Sequence, residues 1–223
     1  MNITGDWLSG QRILGQNASV THTATAARVQ SPTPGAGTAA AQRPAVPAPG
    51  GGPQVRIGVS IPIPEPYSTR LTRARVEAGD PLAQSVPPHI TLVPPTDVQA
   101  EDLARVEHHL QTVAAQHAPF VVDLAGTATF WPISPVVFVR LSSGKDGCGR
   151  LQRALTRDIL AQELQFPYHP HVTIAHRIEE EALSAAQEML ADFEATFPVV
   201  HFCLYEHGLD GVWREIADFA LRS

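Results

Sequence analysis

Two short stretches of the chain carry the same pair of reactive side chains at the same spacing: His89-Ile90-Thr91-Leu92 and His171-Val172-Thr173-Ile174. In an extended strand successive side chains alternate, so a His and a Thr two residues apart share one face, about 7 Å from each other. The apolar residues between and after them then face the opposite way, into a core. Two imidazoles aimed at a common gap can take a proton from one oxygen and give a proton to another near neutral pH, because an unperturbed histidine titrates at about 6.5. Two threonine hydroxyls beside them can donate hydrogen bonds to oxygens on which negative charge builds in a transition state. A single His-x-Thr says little. A strand histidine is ordinarily a surface or satisfied core group, and a strand threonine ordinarily reflects β-propensity.

The surroundings raise the pair above that default, because the chain repeats itself. Arg70-Leu71-Thr72-Arg73-Ala74 resembles Arg150-Leu151-Gln152-Arg153-Ala154, and each lies a similar distance ahead of its His strand. Pro119-Phe120-Val121-Val122 follows the first motif much as Phe197-Pro198-Val199-Val200 follows the second. Each half reads helix, His strand, helix, strand. A duplicated unit of this kind can pack as a pseudo-twofold pair, and symmetry then brings the two histidines together near the axis.

The elements that must position the motifs can be read in order. Val55 to Ile61 alternates as a strand and Pro62, Pro64 and Pro66 end it. Ser68 or Thr69 is placed to cap a helix running to about Ala78, and Pro94-Pro95 to close the first His strand. Leu103, Val106, Leu110 and Val113 recur at helical spacing behind the acidic start Glu101-Asp102. Phe120–Leu124 and Thr127–Phe130 read as strand broken at Gly126 by a bulge, and Val136–Leu141 as a clear strand. A helix is expected from about Cys148 to Leu164, a second from Glu179 to Phe193, and final strands at Val199–Tyr205 and Val212–Leu221. Residues 1–54 are rich in Ala, Thr, Pro, Gly and Gln with no hydrophobic period, so they are expected as a disordered tail, or as an extension added by a misplaced start ahead of Val55. Residues 55–223 form the folded domain.

Composition narrows the function classes. Residues 55–223 hold 13 basic against 21 acidic groups, a net −8, which argues against wrapping a long nucleic acid but leaves room for one phosphate ester or one RNA end. No apolar run approaches a membrane span, and Cys148 and Cys203 read as two reduced thiols of a cytoplasmic protein. His108, His109 and His117 read as solvated helix-surface groups; His169, His176, His201 and His207 keep the ordinary reading too. A metal site built on His169, His171 and His176 lacks a carboxylate on the right face.

With these residues in hand, the chain resembles the 2H phosphoesterase superfamily, in particular the bacterial branch of 2′-5′ RNA ligases and RNA 2′,3′-cyclic phosphodiesterases. The resemblance covers residues 55 to about 221 and rests on the two His-x-Thr-apolar motifs with Pro88 and Pro170 ahead of them. It implies an α+β fold: a bilobed pseudo-twofold duplication, two antiparallel sheets flanking a central cleft, with helices on the outside. It implies His89, His171, Thr91 and Thr173 as catalytic residues, no cofactor and no metal, and a monomer acting on RNA 3′ ends or cyclic nucleotides, away from membranes. Many members place an Arg three residues after the second Thr; here that residue is His176, with Arg177 one step later, on the other face of a strand. Arg177, Tyr168, Phe130 and Trp131 are the substrate-binding candidates, the latter two at a strand end where a ring could stack on a base, although core packing is the commoner role. Arg73 and Arg140 are further sources of a phosphate cation.

Overall fold

Alternation along the strands decides which face of the sheet is covered. The computed structural model describes residues 52–176 and 178–222. Eight strands, β1 (Gln54–Pro62), β2 (His89–Gln99), β3 (Phe120–Thr129), β4 (Val136–Ser143), β5 (His171–His176), β6 (Glu194–Val199), β7 (His201–His207) and β8 (Trp213–Ala220), combine with four helices, α1 (Tyr67–Glu77), α2 (Leu103–Ala115), α3 (Lys145–Leu155) and α4 (Glu180–Met189). Ile57, Val59 and Ile61 of β1, Ile90 and Leu92 of β2, Val137, Val139 and Leu141 of β4, and Val172 and Ile174 of β5 belong to one core. That core also takes Leu71 of α1, Leu110 of α2, Leu151 of α3 and Leu183 of α4. The helices therefore cover the face that carries the residues between the histidines and threonines. The opposite face carries the motif side chains.

The strands form one antiparallel sheet in the order β6-β3-β4-β5-β2-β1-β7-β8. The two separate sheets expected from the sequence are its halves, β6-β3-β4-β5 and β2-β1-β7-β8. They are joined through a single Cα pair, Ile90 with Val172. The inner edges of the two halves are the His strands themselves, and pairing them satisfies backbone groups that would otherwise be left open. The internal repeat maps onto this sheet only in part. The strand after α2 crosses into the second half, so Phe120 pairs with Val199, and the two similar Pro/Phe/Val/Val segments are neighbours in one half rather than twofold mates. β7 and β8 complete the first half.

Several boundaries differ from expectation for local reasons. β2 runs through Pro94-Pro95, because register shifts against β1 between Ile57 and Ser60 take up extra residues on β2 where proline N–H groups are missing. Neither Ser68 nor Thr69 caps α1; Pro66 stands at the cap and the Thr69 N–H donates to Glu65 Oε2 at 3.1 Å. α3 starts at Lys145 behind Gly144 and ends at Leu155, where the Thr156 hydroxyl turns back to the Gln152 carbonyl, well short of Leu164. Val199–Tyr205 is two strands parted at Val200. The break at Gly126 is a bulge within a single strand, with φ 63° and the Ala191 carbonyl 3.0 Å from where a Cβ would stand. Among the described residues no helix is long and apolar enough to cross a membrane.

This division of faces sets a contrast in stability. Leu92→Ala and Ile174→Ala each empty a site that is at most 1 % exposed, so each is expected to lower unfolding free energy by about 2–5 kcal/mol in urea titration. Thr91→Val, on the uncovered face, is expected to cost less than about 1 kcal/mol.

Candidate active site

The pairing of Ile90 with Val172 in antiparallel register, continued by one residue each way, sets His89 across from Thr173 and Thr91 across from His171. Cross-strand neighbours share a face, so four functional side chains form a square on the sheet face that the helices leave uncovered. All four are half-buried. The rows extend outward. His89 is flanked on β1 by Pro62, and Thr91 by Ser60. His171 is flanked on β4 by Arg140, and Thr173 by Phe138.

Both imidazoles are held by the same backbone device. His89 Nδ1 lies 2.8 Å from the Pro87 carbonyl and His171 Nδ1 lies 2.7 Å from the His169 carbonyl. A carbonyl can only accept, so Nδ1 carries the proton in each ring and the lone pair of the neutral form sits on Nε2. The prolines Pro88 and Pro170, between each histidine and its accepting carbonyl, stiffen this turn. Burial is the main influence on both rings and lowers each pKa from 6.5 to about 4, only partly offset by the bond to the carbonyl. His89 also feels the charges of Arg75 and His171, and His171 that of His169. At pH 7 with the cleft free of anions, both rings are neutral.

Each lobe supports its histidine differently. On the first, the Arg75 guanidinium is buried against Asp80, with Nε 2.9 Å from Oδ2, and donates to the Leu82 and Val86 carbonyls. Asp80 in turn accepts the Leu82 N–H at 3.0 Å. This ion pair ties down the segment whose next carbonyl, that of Pro87, orients His89. On the second lobe the wall is aromatic. The Phe130 and Phe138 rings lie 4.3 Å apart, and each is 5.1 Å from the His171 ring; Phe130 meets it nearly edge-on, at 88°. The His169 ring is 5.4 Å from both phenylalanines.

The sequence candidates fall into three groups. His89, Thr91, His171 and Thr173 converge as expected, and Phe130 joins them. Trp131 is not core: it is 57 % exposed in the turn beyond Phe130, with Pro132 and Ile133 exposed beside it. Tyr168 packs against the core, and its hydroxyl donates to the Thr91 carbonyl at 2.9 Å, so it braces the approach to the second motif against the first His strand. Arg177 lies outside the described residues, as do residues 1–51 of the expected tail. Arg73 is exposed and bonded to Glu77, whereas Arg140 is an exposed cation on the strand next to His171. His176 is buried at the end of β5, opposite Val136. Among the described residues no three His, Cys, Asp or Glu side chains group as metal ligands. Sequence reasoning missed Arg75, Phe138 and the contact role of His169. The only signals for them were an Arg among apolar helix positions and a Phe at the site-facing phase of β4.

This geometry defines a class: a bilobed α+β protein whose two related strands present paired His-x-Thr groups on one uncovered face, the plan of the 2H phosphoesterases. The chain belongs to the 2′-5′ RNA ligase superfamily, which matches over residues 63–211. It is 27% identical over 144 residues to a protein named "Putative phosphoesterase" in Bacillus cereus (strain AH820), covering 64% of this chain and 83% of that one. A protein of the same name in Bacillus thuringiensis (strain Al Hakam) matches with the same identity and coverage. Among solved structures, E. coli LigT complexed with NADP+ superposes with a TM-score of 0.55 at 24% identity, over 77% of this chain and 100% of LigT. TT0787 of Thermus thermophilus superposes with a TM-score of 0.53 at 23% identity, over 75% and 98% of the two chains. At these identities the likeness is one of fold. Superfamily membership places the chain among phosphoesterases.

The depressed pKa values have a direct check. His89 and His171 bind fewer protons folded than unfolded between pH 6.5 and 4, so they contribute stability that is complete above pH 6.5 and lost as pH falls through 4. Their ring C–H signals in NMR are expected to titrate near pH 4, and inorganic phosphate is expected to move both midpoints upward, because an anion favours imidazolium. Midpoints of 6.5 without phosphate would refute the burial argument.

Proposed function

We propose that the protein hydrolyses 2′,3′-cyclic phosphates, at RNA 3′ ends or on small nucleotides, by two-histidine acid–base catalysis with no metal on the reaction path. The observation that carries this reading is the register of β2 against β5, which sets two imidazoles with matched Nδ1 anchors beside two threonines on one face. One neutral Nε2 takes the proton of the attacking water. The other imidazole, protonated, gives its proton to the ribose oxygen as its bond to phosphorus breaks. Thr91 and Thr173 donate to the non-bridging oxygens. With a 5′-hydroxyl in place of water, the same steps join a cyclic phosphate to that hydroxyl through a 2′-5′ bond. Both rings are neutral in the anion-free cleft, so the substrate's own charge is what raises one pKa and loads the acid. Crystal structures of E. coli LigT hold 3′-AMP, NADP+ or phosphate, phosphate-bearing ligands consistent with a nucleotide-sized substrate. The setting proposed is the cytoplasm, with the protein acting as a monomer.

The neutral rings also favour a second reading, a module that holds an RNA end or nucleotide without turnover. Turnover separates the two. With chelator present, the wild-type protein is expected to open 2′,3′-cyclic nucleotides and cyclic-phosphate-ended oligonucleotides, and His89→Ala or His171→Ala to lower kcat by about 10²–10⁴-fold. Binding without product in the wild-type protein would select the second reading.

Phe130 beside His171 and exposed Trp131 beyond it offer the nucleobase a stacking platform. Trp131→Ala is expected to raise KM for a cyclic nucleotide by about 5–150-fold, the worth of one stacked base at about 1–3 kcal/mol, with kcat little changed. An unchanged KM would remove Trp131 from the site.

A further inference from the structure

Both histidines are oriented by a carbonyl two residues earlier, so the aim of each ring depends on what holds that carbonyl. The chain there reads Val86-Pro87-Pro88-His89 in the first lobe and Tyr168-His169-Pro170-His171 in the second. The residue three before each histidine, Val86 or Tyr168, leads directly into the anchoring residue. In both lobes it is tied down, and by different means.

In the first lobe the tie comes from another element. The Val86 side chain is buried with Cys203, Tyr205 and Trp213, and its carbonyl accepts from Arg75 Nη1. Holding the Val86 carbonyl holds the plane of the peptide that leads into Pro87. The Pro87 ring then locks φ, and Pro88 after it confines ψ to the extended range. Little freedom is left to the Pro87 carbonyl, so the guanidinium sets the bond to His89 Nδ1 at one remove. The guanidinium is itself held, with Nε 2.9 Å from Asp80 Oδ2 and Nη2 3.2 Å from the Leu82 carbonyl. A planar fork with three fixed acceptors has one orientation.

In the second lobe the tie comes from the residue itself. His169 stands where the first lobe has Pro87, so no ring locks φ of the anchoring residue. Tyr168 packs against the core, and its hydroxyl donates to the Thr91 carbonyl at 2.9 Å. Burial pushes the phenol well above the usual tyrosine range, so the hydroxyl keeps the proton it donates. Tyr168 is thereby fixed against β2, and the His169 carbonyl that follows it is fixed as well.

We propose that Arg75 and Tyr168 are positioning residues, one for each histidine: Arg75 aims His89 through the Val86–Pro87 peptide, and Tyr168 aims His171 through His169. The assignment rests on the phosphodiesterase reading above for the use made of the two Nε2 atoms, and it holds whichever ring gives the proton. Without its brace the anchoring carbonyl is free to swing. The Nδ1–H bond is then no longer enforced, and the ring turns or shares its proton between the two nitrogens. Each brace serves one ring.

The test reads the two rings separately in the full chain. Nitrogen-15 shifts of the imidazoles at pH 7 report which nitrogen bears the proton, and kcat and KM are measured on a 2′,3′-cyclic nucleotide. The wild-type protein is expected to show Nδ1–H in both rings. Tyr168→Phe keeps the ring in the core and removes only the hydroxyl, and is expected to give mixed tautomers at His171 with His89 unchanged. Arg75→Lys keeps the charge beside Asp80 but loses the fork that spans three acceptors, and is expected to give the converse. Each is expected to lower kcat about 10- to 100-fold with KM within about twofold, since a misplaced group costs up to about 10²-fold. Thermal unfolding checks that the variants fold. Should Arg75→Lys fail that check, Arg75→Gln combined with Asp80→Asn, which leaves no charge buried there, takes its place. Equal changes at both rings, or Nδ1–H retained in both rings of the folded variants, would overturn the assignment. Absence of wild-type turnover would overturn the phosphodiesterase reading, while the nitrogen shifts would still decide the two braces.

Discussion

One point of contact organises the described fold. Ile90 and Val172 pair at the inner edges of two four-stranded half-sheets, and that single pair both joins the sheet and sets the spacing of the proposed catalytic groups. Period-two alternation does the rest. Shifting either strand by one residue would send its His and Thr to the helix-covered face and its Ile or Val to the cleft. The register is therefore held by the core, through Ile90, Leu92, Val172 and Ile174, all at most 1 % exposed. Stability and site geometry rest on the same residues read from opposite faces. Tyr168 adds a second tie across the join, from the approach to β5 to the Thr91 carbonyl.

The imidazoles illustrate how local backbone geometry prepares chemistry. In both motifs the accepting carbonyl lies two residues earlier, with a proline between. The donor is thereby committed to Nδ1 in both rings, and Nε2 is left to exchange protons. Burial then keeps both rings neutral until an anion arrives. In the reaction proposed above, the phosphodiester brings the charge that loads the acid. The cost of bringing Arg75 into the protein beside His89 is met by Asp80 and two carbonyls. The resulting network fixes the segment that orients the ring.

What the sequence made legible is what periodicity and repetition encode. The four motif residues, the helix–strand alternation and the doubled plan all follow from patterns a few residues to half a chain long. Features that depend on which strands become neighbours were not legible. The crossover of β3 into the second half turned an apparent twofold pair, the Pro/Phe/Val/Val segments, into antiparallel partners. α3 stops at Leu155, where both the N–H and the hydroxyl of Thr156 turn back to the Gln152 carbonyl, a local feature that hydrophobic spacing does not register. β2 passed through two prolines because bulges absorbed them. Phe138 and Ser60 stand beside the motif residues only because β4 and β1 flank the His strands, and Tyr205 comes near only because β7 lies next outward; no local pattern marks that.

The partial failure of symmetry is the informative part of the site. The two His strands supply two similarly anchored histidines, and equivalent histidines cannot by themselves tell a leaving group from a nucleophile. In-line displacement needs that distinction, since the two apical positions differ in charge, size and proton demand. The anchoring carbonyls stayed alike in both lobes, as orientation requires the same geometry on each side. The walls diverged instead, to Phe130 and Phe138 beside one ring and Ser60 and Tyr205 beside the other, with a buried Arg75–Asp80 pair under the first lobe alone. The two lobes therefore differ in the neighbours of the histidines, while the motifs themselves match.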